Sequence, residues 1–159
     1  MPYAILAGEI LADPLGRGYD AMSDVQVAES LDTADRLVVE PFRATWRDMM
    51  ATFGPTRTAA IKEAIEAAEP DRPGLAIALE MLGHYGDGGG LDVGHDYTRD
   101  TLDVLAAAGD LGAADVEAIK SLAERNISRA AELGLGEIRP GDVARVRRMT
   151  QAEGAEHAS

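Results

Sequence analysis

The chain has 159 residues, of which 46% are hydrophobic and 4% aromatic, and its formal net charge is −13 at pH 7. This length allows one compact domain with a hydrophobic core. A surface this acidic repels the phosphate backbone, which argues against sequence-independent DNA binding by the whole surface and favours basic protein partners. We also expect no sequence-specific nucleic-acid binding. The sequence contains no cysteine, which excludes disulfides, thiolate metal sites and cysteine nucleophiles.

The N-terminal residues predict a short helix. Ile5, Leu6, Glu9 and Ile10 follow one another at helical spacing, and Pro14 ends the pattern. The segment lacks the basic leading region of a signal peptide, and its apolar stretch is too short to span a bilayer. We therefore expect a soluble cytoplasmic protein with no membrane partner.

Two further helix starts follow. Ser23 with Gln26 matches the capping-box pattern, so a helix is expected from there through Leu31. Pro41 is predicted to open the next helix, which Gly54 closes. That helix has a wide apolar stripe, a pattern typical of a helix packed on a core. The stripe consists of Phe42, Thr45, Trp46, Met49, Met50 and Phe53.

Helical periodicity continues through the rest of the chain, and few runs show the alternation expected of strands. Gly134 followed by Leu135 fits a left-handed helix C-cap, and a short basic helical segment comes after the Pro-Gly turn that follows it. The last ten residues have little to bury, so we expect them to be disordered. The remaining helices are predicted over residues 56–69, 75–82, 97–108 and 113–133, the last being the longest.

These patterns together predict an all-α fold. We expect a single compact helical bundle domain over residues 1–139, with short interhelical loops and a Gly-rich loop. A C-terminal arm and flexible tail are expected over residues 140–159. Neither an internal repeat nor a domain boundary is visible in the composition.

Residues 12–24 read ADPLGRGYDAMSD, in which two glycines flank an arginine. A phosphate-binding loop needs such glycines directly before a helix N-terminus, usually after a strand. Here no strand is predicted before the glycines, and four residues separate Gly18 from Ser23. We therefore expect an ordered interhelical loop, with Arg17 and Tyr19 as its candidate partner-binding groups.

The Gly-rich loop over residues 83–96 contains Asp87, Asp92, His95 and Asp96, a set of possible metal ligands. An EF-hand needs oxygen ligands at alternating positions and a closing glutamate, and the loop has neither. Within the run DGGGLDVGHD (residues 87–96), no second histidine accompanies His95. We therefore favour a mobile, solvated loop without metal, in which Asp96 caps the following helix.

Catalysis has little support in the sequence. His84, His95 and His157 are the only histidines, and no nucleophile elbow accompanies them. Acidic pairs such as Glu63 and Glu66 are better explained as hydrated residues on the solvent-facing side of a helix than as catalytic carboxylates. We expect neither enzymatic activity nor a cofactor.

Arg145, Arg147 and Arg148 form the one local basic cluster. Cations beside a helix C-terminus are favoured by the helix dipole, which is one explanation of the cluster. The other is a docking arm that binds an acidic protein surface or packaged nucleic acid. Both explanations remain open, and the three arginines are candidate partner-binding residues.

Two segments, one near each end of the chain, resemble a known family. ILADPLGRGYDAMSDVQVAESLDTADR (residues 10–36) is similar to a DPLGRGY…M(S/T)D…VA…SLN run, and LAERNISRAAELGLGEIRPGDVARVR (residues 122–147) to an SRAEELGLG helix with a GDV or GHV turn. These runs open and close small proteins in the structural modules of tailed bacteriophages and prophages. The two segments cover about a third of the chain, residues 41–112 show no such similarity, and Asp32 replaces the asparagine of the pattern.

The resemblance implies a virion structural protein of the head–tail connector (neck adaptor) family of tailed bacteriophages, prophages and gene-transfer particles. Such an adaptor forms a homo-oligomeric ring of about twelve copies beneath the portal protein and contacts neighbouring neck or tail proteins. It inserts its C-terminal arm between portal subunits. The implied location is the virion neck, with assembly in the host bacterial cytoplasm. The family brings no catalytic residues.

Three alternatives to the adaptor remain. The first is that the chain is another virion assembly part, such as a tail terminator, a stopper or a head completion protein. Terminators and stoppers are usually rich in strands. A second alternative is a small acidic regulator or DNA mimic that binds a basic partner. A third is a metal-dependent enzyme that uses Asp87, Asp92, His95 and Asp96.

Overall fold

The computed structural model describes residues 2–86 and 88–156, with side chains described through residue 152. Within these ranges the chain forms nine α-helices, four short strands and two single-turn 3₁₀ helices, Tyr19–Ala21 and Glu69–Asp71. The predicted predominance of helix is confirmed. The elements are α1 (Tyr3–Ala12), α2 (Asp24–Asp32), β1 (Arg36–Val39), β2 (Arg43–Ala44), α3 (Trp46–Phe53), α4 (Pro55–Ala68), α5 (Gly74–Gly83), β3 (Leu91–Asp92), α6 (Asp96–Ala108), α7 (Ala113–Ser121), β4 (Glu124–Ile127), α8 (Arg129–Glu132) and α9 (Pro140–Glu156).

The chain divides into two compact units. The terminal unit combines Met1–Leu37 with Asn126–Ser159, and the central unit is Val38–Arg125. The chain passes between them through β1 and β4, which pair as a two-stranded sheet. Each unit has its own hydrophobic core, whereas the sequence predicts one domain through residue 139.

The core of the terminal unit is built from both ends of the chain. Helix α9 packs against α1 and α2, and α8 packs against α2. Tyr19, from the loop after α1, is fully buried in this core. The buried residues are Leu6, Ile10, Tyr19, Val27, Ala28, Leu31, Ala130, Leu135, Ile138, Val143 and Val146.

Helix α9 corrects the expectation of an arm that begins at residue 140. Val143 and Val146 are buried against α1 and α2, so the first part of the segment belongs to the core of the terminal unit. The helix continues to Glu156, through most of the tail that the sequence predicts as disordered. Residues 157–159 of the expected flexible tail lie outside the described residues.

The core of the central unit lies among α3, α4, α5, α6 and α7. Helix α4 packs against both α3 and α5, and α6 packs against α7. The buried residues are Ala44, Trp46, Met49, Ile61, Ile65, Ala68, Leu75, Leu82, Val93, Leu102, Leu105, Leu111, Val116, Ile119 and Ala123.

Capping residues set several helix ends. The predicted capping box at α2 is confirmed: the Ser23 hydroxyl accepts from the Gln26 N–H at 3.3 Å, and the Gln26 side chain accepts from the Ser23 N–H at 2.9 Å. Gly134 follows α8 with φ +67°, and the Leu135 N–H donates to the Ala130 carbonyl at 2.9 Å. The predicted left-handed cap is therefore confirmed as well.

Two predicted helices are wrong at their boundaries. Pro41 does not open a helix, since residues 43–44 are a strand and α3 begins at Trp46 behind a capping box of Thr45 and Asp48. The long helix over 113–133 is interrupted by β4. Strand β4 pairs with β1, about 85 positions earlier in the sequence, and this distant pairing overrides local helical periodicity.

The Gly-rich loop is partly paired. Strands β2 and β3 are antiparallel, with Arg43 opposite Asp92 and Ala44 opposite Leu91. A Cβ atom at Gly94 would overlap the Glu40 carbonyl, so close backbone approach requires glycine there. In the described part of the chain, no helix is both long and apolar enough to cross a membrane.

Candidate partner-binding surface

The loop after α1 is held by the carboxylate of Asp13. Its two oxygens accept from the Arg17 N–H at 2.8 Å and the Gly18 N–H at 2.7 Å. Gly16 and Gly18 have positive φ angles, +63° and +77°, which turn these amides inward. The donors that a phosphate would need are therefore occupied by a side chain of the same loop, and the expected ordered loop is found.

Arg17 braces this loop against the end of α2. Its guanidinium donates to the backbone carbonyl and, at 3.1 Å, to the hydroxyl of Ser30. It also forms an ion pair with Asp35 at 2.8 Å. Only 14% of the Arg17 side chain is exposed, so these contacts within the terminal unit use most of its donors.

Tyr19 lies inside the core of the terminal unit. Its side chain is fully buried, and among the described residues no partner accepts or donates a hydrogen bond at its hydroxyl. Burial raises the pKa of Tyr19, while the nearby positive charge of Arg17 opposes that rise. The structure thus places this candidate partner-binding residue within the fold.

Arg147 connects α9 to the loop. Its guanidinium donates to the carbonyls of Tyr19 at 2.6 Å and Met22 at 2.8 Å. It also contacts the Asp24 carboxylate at 2.8 Å, in the first turn of α2. Three acceptors from two elements converge on this one side chain, which joins the two ends of the chain.

Arg145 and Arg148 point away from the core. Both are exposed on α9. The Arg145 guanidinium lies 4.5 Å from the centre of the Tyr3 ring, a cation–π contact that leaves its outer side open. The Tyr3 hydroxyl donates to Asp142 at 3.0 Å, which fixes the ring. Of the five candidate partner-binding residues, these two are the ones that the structure leaves exposed.

Sequence reasoning missed an ion pair between Glu9 and Arg129. The Arg129 guanidinium donates to both Glu9 oxygens, at 2.9 and 2.7 Å, and the two side chains are 3% and 14% exposed. Hydrogen bonds from Arg129 lower the pKa of Glu132, and bonds to Glu9 raise the pKa of Arg129. The sequence signal that could have indicated this pair is Glu9 itself, the one acidic residue in an otherwise uncharged helix.

Asp92 and His95, in the described part of the Gly-rich loop, make structural contacts. Asp92 accepts from the N–H groups of Phe42 at 3.1 Å and Gly94 at 3.0 Å, which are structural contacts. His95 Nδ1 accepts from the Tyr97 N–H at 3.2 Å and caps α6, a role that the sequence assigned to Asp96. Within the described ranges, no cluster of three His, Asp or Glu side chains is placed to hold a metal ion. Asp87 and His157 lie outside the described residues.

Comparison with protein-family models, with curated proteins and with solved structures gives no match to this chain.

Proposed function

We propose that this chain is a virion structural protein, a head–tail connector adaptor that forms a ring beneath the portal and joins head to tail. One observation carries the proposal. The two segments that resemble the connector family, residues 10–36 and 122–147, lie near opposite ends of the chain, yet nearly all of both falls in the terminal unit. A resemblance confined to one folded unit is what a shared structural module produces.

Contacts inside the terminal unit use the residues of these two segments. Arg17, in the DPLGRGY run, binds Ser30 of the same segment. Asp32, where the family pattern has asparagine, accepts from the Ile138 N–H at 3.0 Å. Arg147 closes the second segment onto the first. These contacts give a physical reason for both runs to occur together.

The helical content supports an adaptor over a tail terminator or a stopper. Terminators and stoppers usually carry substantial strand structure, whereas strands in the described residues are two to four residues long. A structural role also agrees with the acidic surface, because the net charge of −13 favours basic protein partners such as a basic patch on the portal.

The proposed partners are the portal protein and the neighbouring neck or tail proteins, and the proposed location is the virion neck after assembly in the bacterial cytoplasm. Arg145 and Arg148 are the groups offered to these partners, because they are exposed on α9. Repetition around a ring turns a modest affinity for each copy into a stable joint through avidity.

The experiment is complementation of a gene deletion in a particle-producing host, scored by electron microscopy for joined and unjoined heads. We expect the deletion to leave filled heads and free tails. An Arg145→Glu, Arg148→Glu double variant should fail to restore joining while it keeps the helical circular dichroism of the wild type. Removal of α9 is unsuitable as a test because Val143 and Val146 belong to the core.

Arg47→Glu is the matched control, since Arg47 is an exposed helical arginine of the central unit. It should join heads to tails normally. If heads and tails join without the gene, the proposed function is wrong. If the double variant joins them as well as wild type, the function stands and the docking role of α9 is wrong.

A further inference from the structure

The central unit contains a groove between α3 and α4, which we call the Trp46 groove. Trp46 and Met50 line it from α3. Pro55, at the start of α4, and Tyr85, in the segment after α5, line its other sides. Its volume is about 270 Å³. Since an apolar cavity of about 150 Å³ is large enough to bind benzene, the groove has room for one aromatic ring and a short tail.

The walls of the Trp46 groove are apolar and partly open to water. Trp46 is 8% exposed, whereas Met50 is 43% and Tyr85 is 64% exposed. Single exposed apolar side chains are ordinary on a protein surface, but here they border a concavity that also contains a tryptophan. A ring that enters the groove removes this apolar surface from water and contacts aromatic neighbours. The groove therefore favours a ligand with an aromatic ring.

Lys62 gives the groove a positive charge. Of the seven lining residues, all of which lie in the described part of the chain, Lys62 alone is charged. Its Nζ atom lies 3.4 Å from the Glu66 carboxylate, and both side chains are about half exposed. Exposed pairs at this spacing are weak and an ammonium has three donors, so Lys62 can bind a second carboxylate. The Thr58 hydroxyl already donates to the Gly54 carbonyl at 2.9 Å, which leaves Lys62 as the donor that α4 offers to a ligand.

We propose that the Trp46 groove binds a small aromatic carboxylate. The ring lies against Trp46 and Met50, and the carboxylate accepts a hydrogen bond from the Lys62 ammonium. One negative charge on the ligand matches the one cation of the groove. The net charge of −13 repels a polyanion much more strongly than a ligand with a single charge, which disfavours nucleotides here.

This inference goes beyond the proposed function and does not rest on it. The resemblance to the connector family lies in the terminal unit, whereas residues 41–112, which include the whole groove, show no such similarity. A ligand site gives the central unit a role of its own, separate from the docking of α9.

Trp46 is a direct reporter of the groove, because it is the one tryptophan of the chain. The test is titration of the purified full-length protein with hydrocinnamate, a phenyl ring joined to a carboxylate by a short tail, at constant ionic strength. Tryptophan fluorescence and isothermal titration calorimetry both measure binding. We expect a dissociation constant of about 1 mM or lower. Hydrocinnamide, the uncharged amide of the same shape, should bind about three- to tenfold more weakly, because it does not pair with the ammonium.

Lys62→Met removes the cation from the groove. It should weaken hydrocinnamate binding about three- to tenfold and leave hydrocinnamide binding unchanged. Arg47→Met is the matched control, because Arg47 is exposed on α3 beside Trp46, does not line the groove, and changes the net charge by the same amount when it is replaced. It should bind both ligands like wild type.

Ala59→Phe fills the groove, since Ala59 lines it from α4. Binding of both ligands should weaken at least about tenfold, because the new ring occupies the place of the ligand ring. Ala60→Phe is the control, since Ala60 is the next residue of the same helix and lies outside the groove, and it should bind like wild type. Both positions are exposed, so both variants should keep the helical circular dichroism of the wild type.

Four results would overturn the inference. They are the lack of saturable hydrocinnamate binding by either method up to about 20 mM, equal affinities for the acid and the amide, equal weakening by Lys62→Met and Arg47→Met, and wild-type affinity in Ala59→Phe. The titrations contain no virion component, so their failure leaves the head–tail proposal standing. Conversely, normal head–tail joining without the gene overturns that proposal and leaves the measured affinity of the groove unchanged.

Discussion

The pair of Glu9 and Arg129 shows how a single buried charge depends on distant residues. Glu9 comes from the first helix and Arg129 from α8, 120 positions later, and the carboxylate is 3% exposed. Burial of two charges is costly, and their attraction offsets that cost only while both hydrogen bonds are made. The pair therefore ties the two ends of the chain together, because either partner alone is destabilising.

Arg129→Met should lower the free energy of unfolding by about 3–5 kcal/mol, because it leaves the Glu9 carboxylate buried without its cation. The Glu9→Leu, Arg129→Met double variant should recover most of this loss, since it removes both charges. Urea unfolding followed by circular dichroism measures both changes.

Lys62→Met provides the comparison, because the pair of Lys62 and Glu66 is about half exposed and such pairs contribute less than about 1 kcal/mol. The Glu9→Leu single variant completes the set. If the double variant loses as much free energy of unfolding as Glu9→Leu and Arg129→Met lose together, the account of a coupled buried pair is contradicted.

Residue types in the loop after α1 were visible in the sequence, but their orientation was not. Arg17 and Tyr19 both read as groups of a surface loop, yet the Tyr19 ring is buried in a core shared with α9. Burial of Tyr19 depends on residues more than 120 positions away, such as Val143 and Val146, and local spacing has no information on that packing. Asp13, whose carboxylate organises the loop, was not singled out in the sequence, where Pro14 marked the helix end.

Helices with strong local signals were predicted well. The Ser23 capping box and the Gly134 cap each involve residues within a few positions of one another, and both are present. Strands β1 to β4 were missed because two to four residues gain stability from a partner strand rather than from their own propensity. The Thr45 and Asp48 capping box was a readable signal for the start of α3, and Pro41 obscured it.

The Gly-rich loop gives a prediction about the close approach of Gly94 to Glu40. Gly94→Ala should lower the free energy of unfolding by about 1–3 kcal/mol, because its Cβ atom would overlap the Glu40 carbonyl. Gly83→Ala is the control, since no atom lies within 4 Å of the added Cβ atom and the position is helical, so stability should be equal or higher. Thermal unfolding of both variants measures the difference. Equal melting temperatures would contradict the close approach at Gly94.

The division into two units was not visible in the composition, because no linker marks it. The chain crosses between the units in β1 and β4, which are ordered strands rather than Pro- or Gly-rich segments. Two cores of eleven and fifteen buried residues form where a single core was expected. The terminal unit is discontinuous in sequence, so local patterns do not reveal it.

The terminal unit should fold without the central unit. The Glu40 N–H donates to the Ala123 carbonyl at 2.9 Å, so a short Gly-Ser linker can replace residues 40–123. We expect the shortened chain to be helical and to unfold in one cooperative transition, because the core of the terminal unit is retained. Circular dichroism with thermal melting measures this. Loss of the transition would contradict independent folding of the terminal unit. Leu31→Asp in the shortened chain is the negative control and should abolish the transition, since Leu31 is fully buried.

The discontinuity of the terminal unit also sets an order of events on the ribosome. Residues 38–125 can fold as soon as they emerge, but the first 37 residues lack their core partners until Val143 and Val146 have been synthesised. At roughly 5–20 residues per second, that delay lasts roughly 5–20 s after residue 37 is added. During this interval Leu6 and Ile10, which the folded terminal unit buries, are open to solvent. The N-terminal segment is therefore the part of the newborn chain with most need of a chaperone.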